Sequence, residues 1–141
     1  MTGLEWGETM GGWRLAATLD RATFVVEQPV VATVVLQNTS AREQGFEVAA
    51  ADADTILDCR RTDGAAVAAT ALGRGLDARR ADRSRASVAA GQTLVREVSV
   101  SQRLDLTLPG TYTLTIAREI AAANGDRTLL TSRSVHFEVT L

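Results

Sequence analysis

Short β-favouring runs return along this chain at intervals of roughly 8–12 residues, and glycine, proline and asparagine stand between them, a spacing that belongs to sandwich and barrel folds. Trp13 to Leu19 sets Trp13, Leu15, Ala17 and Leu19 against Arg14, Ala16 and Thr18, as a half-buried strand does. Val30 to Asn38 is apolar on both faces, follows Pro29, and stops at Asn38-Thr39-Ser40. Further strands are expected at Phe46–Ala50, Thr55–Arg60, Thr93–Val100, Tyr112–Glu119 and Thr131–Leu141. Thr62-Asp63-Gly64 is a hairpin signal leading into a strand at Ala65–Ala69, and Asn124-Gly125-Asp126 is a second turn. In the last strand Val135, Phe137, Val139 and Leu141 share one face, and Leu104, Leu106 and Leu108 repeat at spacing two. Two alanine-rich stretches, Ala49–Cys59 and Ile120–Asn124, offer short helices as rivals. Valine and threonine concentrate in the strand runs, so both stretches are read as β.

Composition narrows the chemistry. The 141 residues suit one domain, with residues 1–12 as an N-terminal arm and 13–141 as a single β-sandwich. All 15 basic residues are arginine, so lysine Schiff bases and Walker-type phosphate loops are excluded. One cysteine excludes an internal disulfide and a C-x-x-C pair; one histidine excludes two-histidine metal sites. A net charge of −2 argues against a general nucleic-acid binder, and no run reaches the length of a membrane helix. Met1 to Gly12 has neither a basic start nor an apolar stretch and does not read as a signal peptide. A cytoplasmic protein and the mature part of an exported bacterial one both fit.

Two clusters carry a family likeness. Phe24, Glu27-Gln28-Pro29-Val30 and Asn38-Thr39-Ser40 form the first; Ala90-Gly91-Gln92, Leu104, Leu106 and Leu108-Pro109-Gly110-Thr111-Tyr112-Thr113 form the second. Together they resemble immunoglobulin-like bacterial modules, similar to intracellular-proteinase-inhibitor-type domains and to accessory domains of deuterolysin-type metalloproteases. The opening Trp6-Gly7-Glu8 and Gly12-Trp13-Arg14-Leu15 resemble the start of related bacterial members. The likeness implies an immunoglobulin- or fibronectin-like sandwich of seven to nine mostly antiparallel strands. Glu27-Gln28 stands where that pattern has Gly-Glu, which leaves the turn without its glycine. Tyr112, after Pro109-Gly110, is placed for a tyrosine corner, and Trp13 for the core.

No catalytic constellation is found. His136 lies between Val135 and Phe137 and points outward if they face the core; no serine sits in a G-x-S-x-G turn. Asp52, Asp54 and Asp58 lack the glycine and terminal glutamate of a calcium loop, so neither metal nor cofactor is expected. Cys59 adjoins Arg60 and Arg61, yet a buried, inert thiol is the commoner state. Asn38-Thr39-Ser40 matches a glycosylation acceptor, although ending the strand explains it equally. The candidate binding loop is Gly73–Arg85, read as irregular, where Arg74, Arg79, Arg80, Arg83 and Arg85 outnumber Asp77 and Asp82. Arginine forks suit a carboxylate-bearing partner, whereas a nucleic-acid groove would interleave aromatics. The expected function is a non-catalytic module with a protein partner. A loop-based proteinase inhibitor is the alternative, and an edge-pairing oligomer a weaker one.

Overall fold

The run that is apolar on both faces becomes the middle strand of a sheet, where neighbours cover both its edges. A computed structural model describes residues 4–77, 81–122 and 124–141. In it β3 (Val31–Asn38) pairs antiparallel with β1 (Trp13–Leu19) on one side and β7 (Thr93–Ser99) on the other. The facing sheet is larger. It runs β2 (Thr23–Val25), β10 (Val135–Thr140), β8 (Gly110–Ala122), β4 (Gln44–Ala49) and β6 (Arg83–Val88); β5 (Thr55–Arg61) and β9 (Arg127–Thr131) also pair with β8. The chain is an all-β sandwich; the described residues form ten strands, one beyond the upper end of the seven to nine expected.

β8 organises the larger sheet because its 13 residues outlast any one partner. Residues Gly110–Leu114 pair with β10 and Ala117–Ala121 with β9; on the opposite edge Tyr112–Arg118 pair with β5. Tyr112, Leu114, Ile116, Arg118 and Ile120 all point inward and are buried. Tyr112, Leu114, Ile116 and Ile120 meet Leu15 from β1, Val34 and Leu36 from β3, and Val98 from β7 in one apolar cluster. The expected last strand is two, because β8 changes partner between β9 and β10. Ser132 makes the step: its amide donates to the Ile116 carbonyl (2.7 Å), and its Oγ accepts from the Ile116 amide (3.0 Å). Leu141 is not on the core face but almost fully exposed, and Leu108 is exposed while Leu104 and Leu106 are buried.

Ala65–Ala69 is no strand. Gly64 turns the chain at φ +86°, but only single bridges follow, Arg60 with Ala66 and Ala69 with Leu104. Four alanines around one valine offer too little side chain to hold a ladder. The two helix rivals also give way: of Ile120–Asn124, Ile120–Ala122 stays in β8, and within Ala49–Cys59 the residues Ala50–Asp52 form one 3₁₀ turn between β4 and β5. Single α-helical turns occur at α1 (Ala71–Gly75) and α2 (Val100–Arg103).

The arm is tied down along β1. Trp6 bridges to Ala16, the Gly7 amide donates to the Leu15 carbonyl (2.9 Å), and Arg133 donates to the Trp6 carbonyl (3.1 Å). The Arg14 guanidinium lies 4.1 Å from the Trp6 ring centre. Gly7 is required here, since a Cβ on it would lie 1.9 Å from the Thr131 carbonyl oxygen.

Candidate binding cleft

The arginine segment does not form one loop. Arg74 lies in α1, where Thr70 caps the turn through its side chain, and its guanidinium donates to the Ala69 carbonyl (2.6 Å). Arg83 and Arg85 belong to β6, with Arg83 3.7 Å from the Glu47 carboxylate and Arg85 directly opposite Glu47. Pairing with β4 captures this stretch although its sequence, Arg-Ser-Arg-Ala-Ser-Val, shows little apolar alternation. Arg79 and Arg80 lie outside the described residues. The described candidate arginines, Arg74, Arg83 and Arg85, are therefore spread over two elements.

Other singled-out residues have structural duties. The Tyr112 hydroxyl donates to the Leu108 carbonyl and accepts from Arg61 (3.1 Å), whose other terminal nitrogen donates to the Pro109 carbonyl (3.1 Å). This is the geometry of a tyrosine corner, and Gly110 turns into β8 at φ +149°. Trp13 is buried edge-on against Phe46, with ring centres 5.2 Å apart. His136 is exposed on the outer face of β10, its Nδ1 3.1 Å from the Thr113 hydroxyl. Cys59 is buried, and burial, aided by Asp58, pushes its thiol up to about 11, far from a reactive thiolate. The Asn38 amide group is fully buried, donating to the Arg42 and Val88 carbonyls and accepting from Ser40 and Gln44. Its hydrogen bonds are committed to the turn after β3.

The aspartates separate rather than cluster. Asp58 sits beside Arg60 on the surface, whereas Asp54 is buried 3.9 Å from the equally buried Arg118. Asp54 accepts from the Ala49 amide (3.2 Å), and Arg118 lies 5.5 Å from the Phe46 ring centre. Burial pulls the Arg118 guanidinium below its ordinary value against the attraction of Asp54 and Asp52. Arg103 clamps the adjoining corner, donating to the carbonyls of Thr55, Ala51 and Asp52 at 2.8–2.9 Å. Among the described residues, no three His, Cys, Asp or Glu side chains are grouped to hold a metal ion.

A concave site forms instead at one end of the sandwich, where four pieces of chain meet. Its floor is Phe24, Val30, Leu106 and Val139, all buried. Glu27, Gln28, Ser99, Ser101, Gln102 and Thr107 supply polar groups around it, and the cavity holds about 250 Å³. Each wall is fixed. The Ser101 hydroxyl accepts from the Val30 amide (3.0 Å), and the Val30 carbonyl accepts from the Val100 amide (2.8 Å), joining the start of β3 to α2. The Val26 amide donates to the Thr140 carbonyl (2.7 Å), and Phe24 stands edge-on to Phe137, which in turn stacks on Tyr112. Within the loop before β8, the Thr107 amide donates to the Asp105 carboxylate two residues upstream (3.0 Å).

Among the described residues, Glu27 gives the cleft its only ionisable lining group. The Gln28 amide donates to the Val25 carbonyl (2.9 Å), closing a four-residue turn with Glu27 third, at φ +74°. That left-handed value is what a type II turn demands at its third position, and glycine is the usual occupant. A side chain there costs roughly 1–2 kcal/mol. Among the described residues Glu27 makes no ion pair, so no salt bridge of its side chain offsets that cost. Sequence reading passed over the cleft. The one signal was the glutamate standing in place of a turn glycine.

Comparison with known proteins bears on the architecture. No family model and no curated protein matches the chain. Among solved structures, the C-terminal domain of Wzt superposes with a TM-score of 0.58 at 18% identity, covering 96% of this chain and 77% of that one. The yjhA protein from Bacillus subtilis follows at 0.41 and 11%, covering 90% and 96%. AvmM, which catalyses macrocyclization in alchivemycin A biosynthesis, reaches 0.41 and 8%, covering 97% and 96%. The first similarity shows a shared β fold; the other two are too distant in shape to support an argument.

Proposed function

We propose that this chain is a non-catalytic β-sandwich interaction module that receives a protein segment in the end cleft. The observation that carries this reading is the cleft's construction: an apolar floor under a rim of hydroxyl, amide and carboxylate groups, on strand ends cross-tied by backbone hydrogen bonds. Its volume decides between occupants. Pockets for drug-sized molecules span about 300–1,000 Å³, so a cavity of about 250 Å³ suits a side chain inserted by a partner better than a whole small ligand. The tyrosine corner at Tyr112 and the hydrogen-bonded turn at Glu27 support the immunoglobulin-like character of the module.

Selecting random displayed peptides on the wild-type protein, with counter-selection on Gln102→Trp, tests the reading. The indole would occupy the cleft mouth without touching the core. Peptides that bind the wild type and lose binding to Gln102→Trp are the expected result. A pool that binds both proteins equally would remove the cleft from consideration.

A further inference from the structure

We propose that the cleft takes the basic side chain, arginine or lysine, of the partner segment; this rests on the interaction-module reading and names what that module recognises. Three features of the site converge on a cation carried on an apolar stem. The floor of Phe24, Val30, Leu106 and Val139 offers aliphatic and aromatic contact but no charge. Ser99, Ser101, Gln102 and Thr107 are neutral and can accept hydrogen bonds. Among the described residues Glu27 is then the one formal charge in the lining, and it is negative.

The position of Glu27 strengthens the case. A glycine would hold the turn at φ +74° without strain, so the backbone alone gives no reason for a carboxylate. Side chains kept against backbone strain cluster at ligand clamps, where what they touch offsets their cost. Arg21 lies 5.9 Å from the Phe24 ring centre, and it stands 3.8 Å from the Asp20 carboxylate, which offsets its charge. An arginine or lysine entering from the partner would lay its methylene stem along the floor and bring its charged head to Glu27.

Amide chemical shifts of the full chain, titrated with n-butylguanidinium and with its neutral isostere n-butylurea, test this. The expected result is saturable movement of the Val25, Glu27, Val30, Gln102 and Thr107 amides, with butylguanidinium binding about fivefold more tightly, the scale of one part-exposed ion pair. That preference should vanish in Glu27→Gln, which keeps the side-chain shape, and in Glu27→Gly, which relaxes the turn. It should also shrink at high salt. Butylurea binding as tightly as butylguanidinium, or a preference that survives in Glu27→Gln, would overturn the assignment. If selected peptides depend on the cleft but lack basic residues, the assignment falls and the interaction reading stands. If no peptide depends on the cleft, both fall.

Discussion

At the scale of single residues, strain and burial mark the positions where side-chain identity matters most. Glu27 adopts a left-handed backbone that glycine would accept freely. Glu27→Gly is expected to stabilise the fold by roughly 0.5–1 kcal/mol, after part of the gain is lost to the more flexible unfolded chain. A denaturant midpoint that stays put or falls would argue against strain there. Asp54 and Arg118 present the opposite case, two charges buried together with the Asp54 Oδ1 and the Arg118 Nε lacking hydrogen-bond partners. Asp54→Ala leaves Arg118 uncompensated and is expected to cost about 3–5 kcal/mol, while adding Arg118→Met recovers most of it. Equilibrium unfolding of the two variants measures that recovery. Cys59 supplies a pH dependence whose sign is fixed: its folded thiol titrates near 11 against an ordinary 9.0. Stability from this group is intact below pH about 9 and is lost towards pH 11, by about 2 kcal/mol, because the unfolded chain releases the proton first. Burial raises Tyr112 in the same direction. Cys59→Ala should flatten that alkaline decline in part, as thermal midpoints across the range would show.

At the scale of elements, what could be read from the sequence follows what each strand has to bury. β1 and β3 were legible because Leu15, Ala17, Val34 and Leu36 must all reach one core, which imposes a strict alternation. β6 was not, since an edge strand with an exposed outer face can carry Arg83, Ser84 and Arg85 and still complete its ladder with β4. β2 was missed because three residues hold no period, and its pairing comes from Thr23–Val25 meeting Glu138–Thr140 in parallel. The cleft stayed hidden for a related reason. Phe24, Val30, Leu106 and Val139 are far apart in sequence, and only the packing of α2 and β10 against the start of β3 brings them together. The arm shows how one element depends on a missing side chain. Gly7→Ala puts a methyl into the Thr131 backbone and should free the arm at a cost of about 1–3 kcal/mol. Trp6 would leave Arg14 and gain solvent, seen as red-shifted emission and easier acrylamide quenching, while Trp13 stays buried.

At the scale of the molecule, a three-stranded sheet faces a seven-stranded one, and the β6–β7 connection carries the chain between them along one side. Within the described residues, β6 and β7 leave edges without a neighbouring strand. Charge occupies both: Arg83 and Arg85 on β6, Arg96 and Glu97 on β7. Edge charges oppose pairing between copies. Arg96→Val with Glu97→Val should therefore raise self-association at a given protein concentration, read by sedimentation velocity. An unchanged profile would show that charge is not what keeps that edge apart.

The parallel pairing of β2 with β10 also sets a condition in time. Phe24 and Val139 face each other across the cleft floor, and the Thr140 hydroxyl donates to the Phe24 carbonyl over a separation of 116 residues. A chain leaving the ribosome shows its Val25–Gln28 turn early, but Phe24 has no Phe137 to pack on until β10 has emerged. Contacts of such span form late in folding. The pocket therefore comes into being only when synthesis has passed Val139, and a chain cut short before that point would lack it.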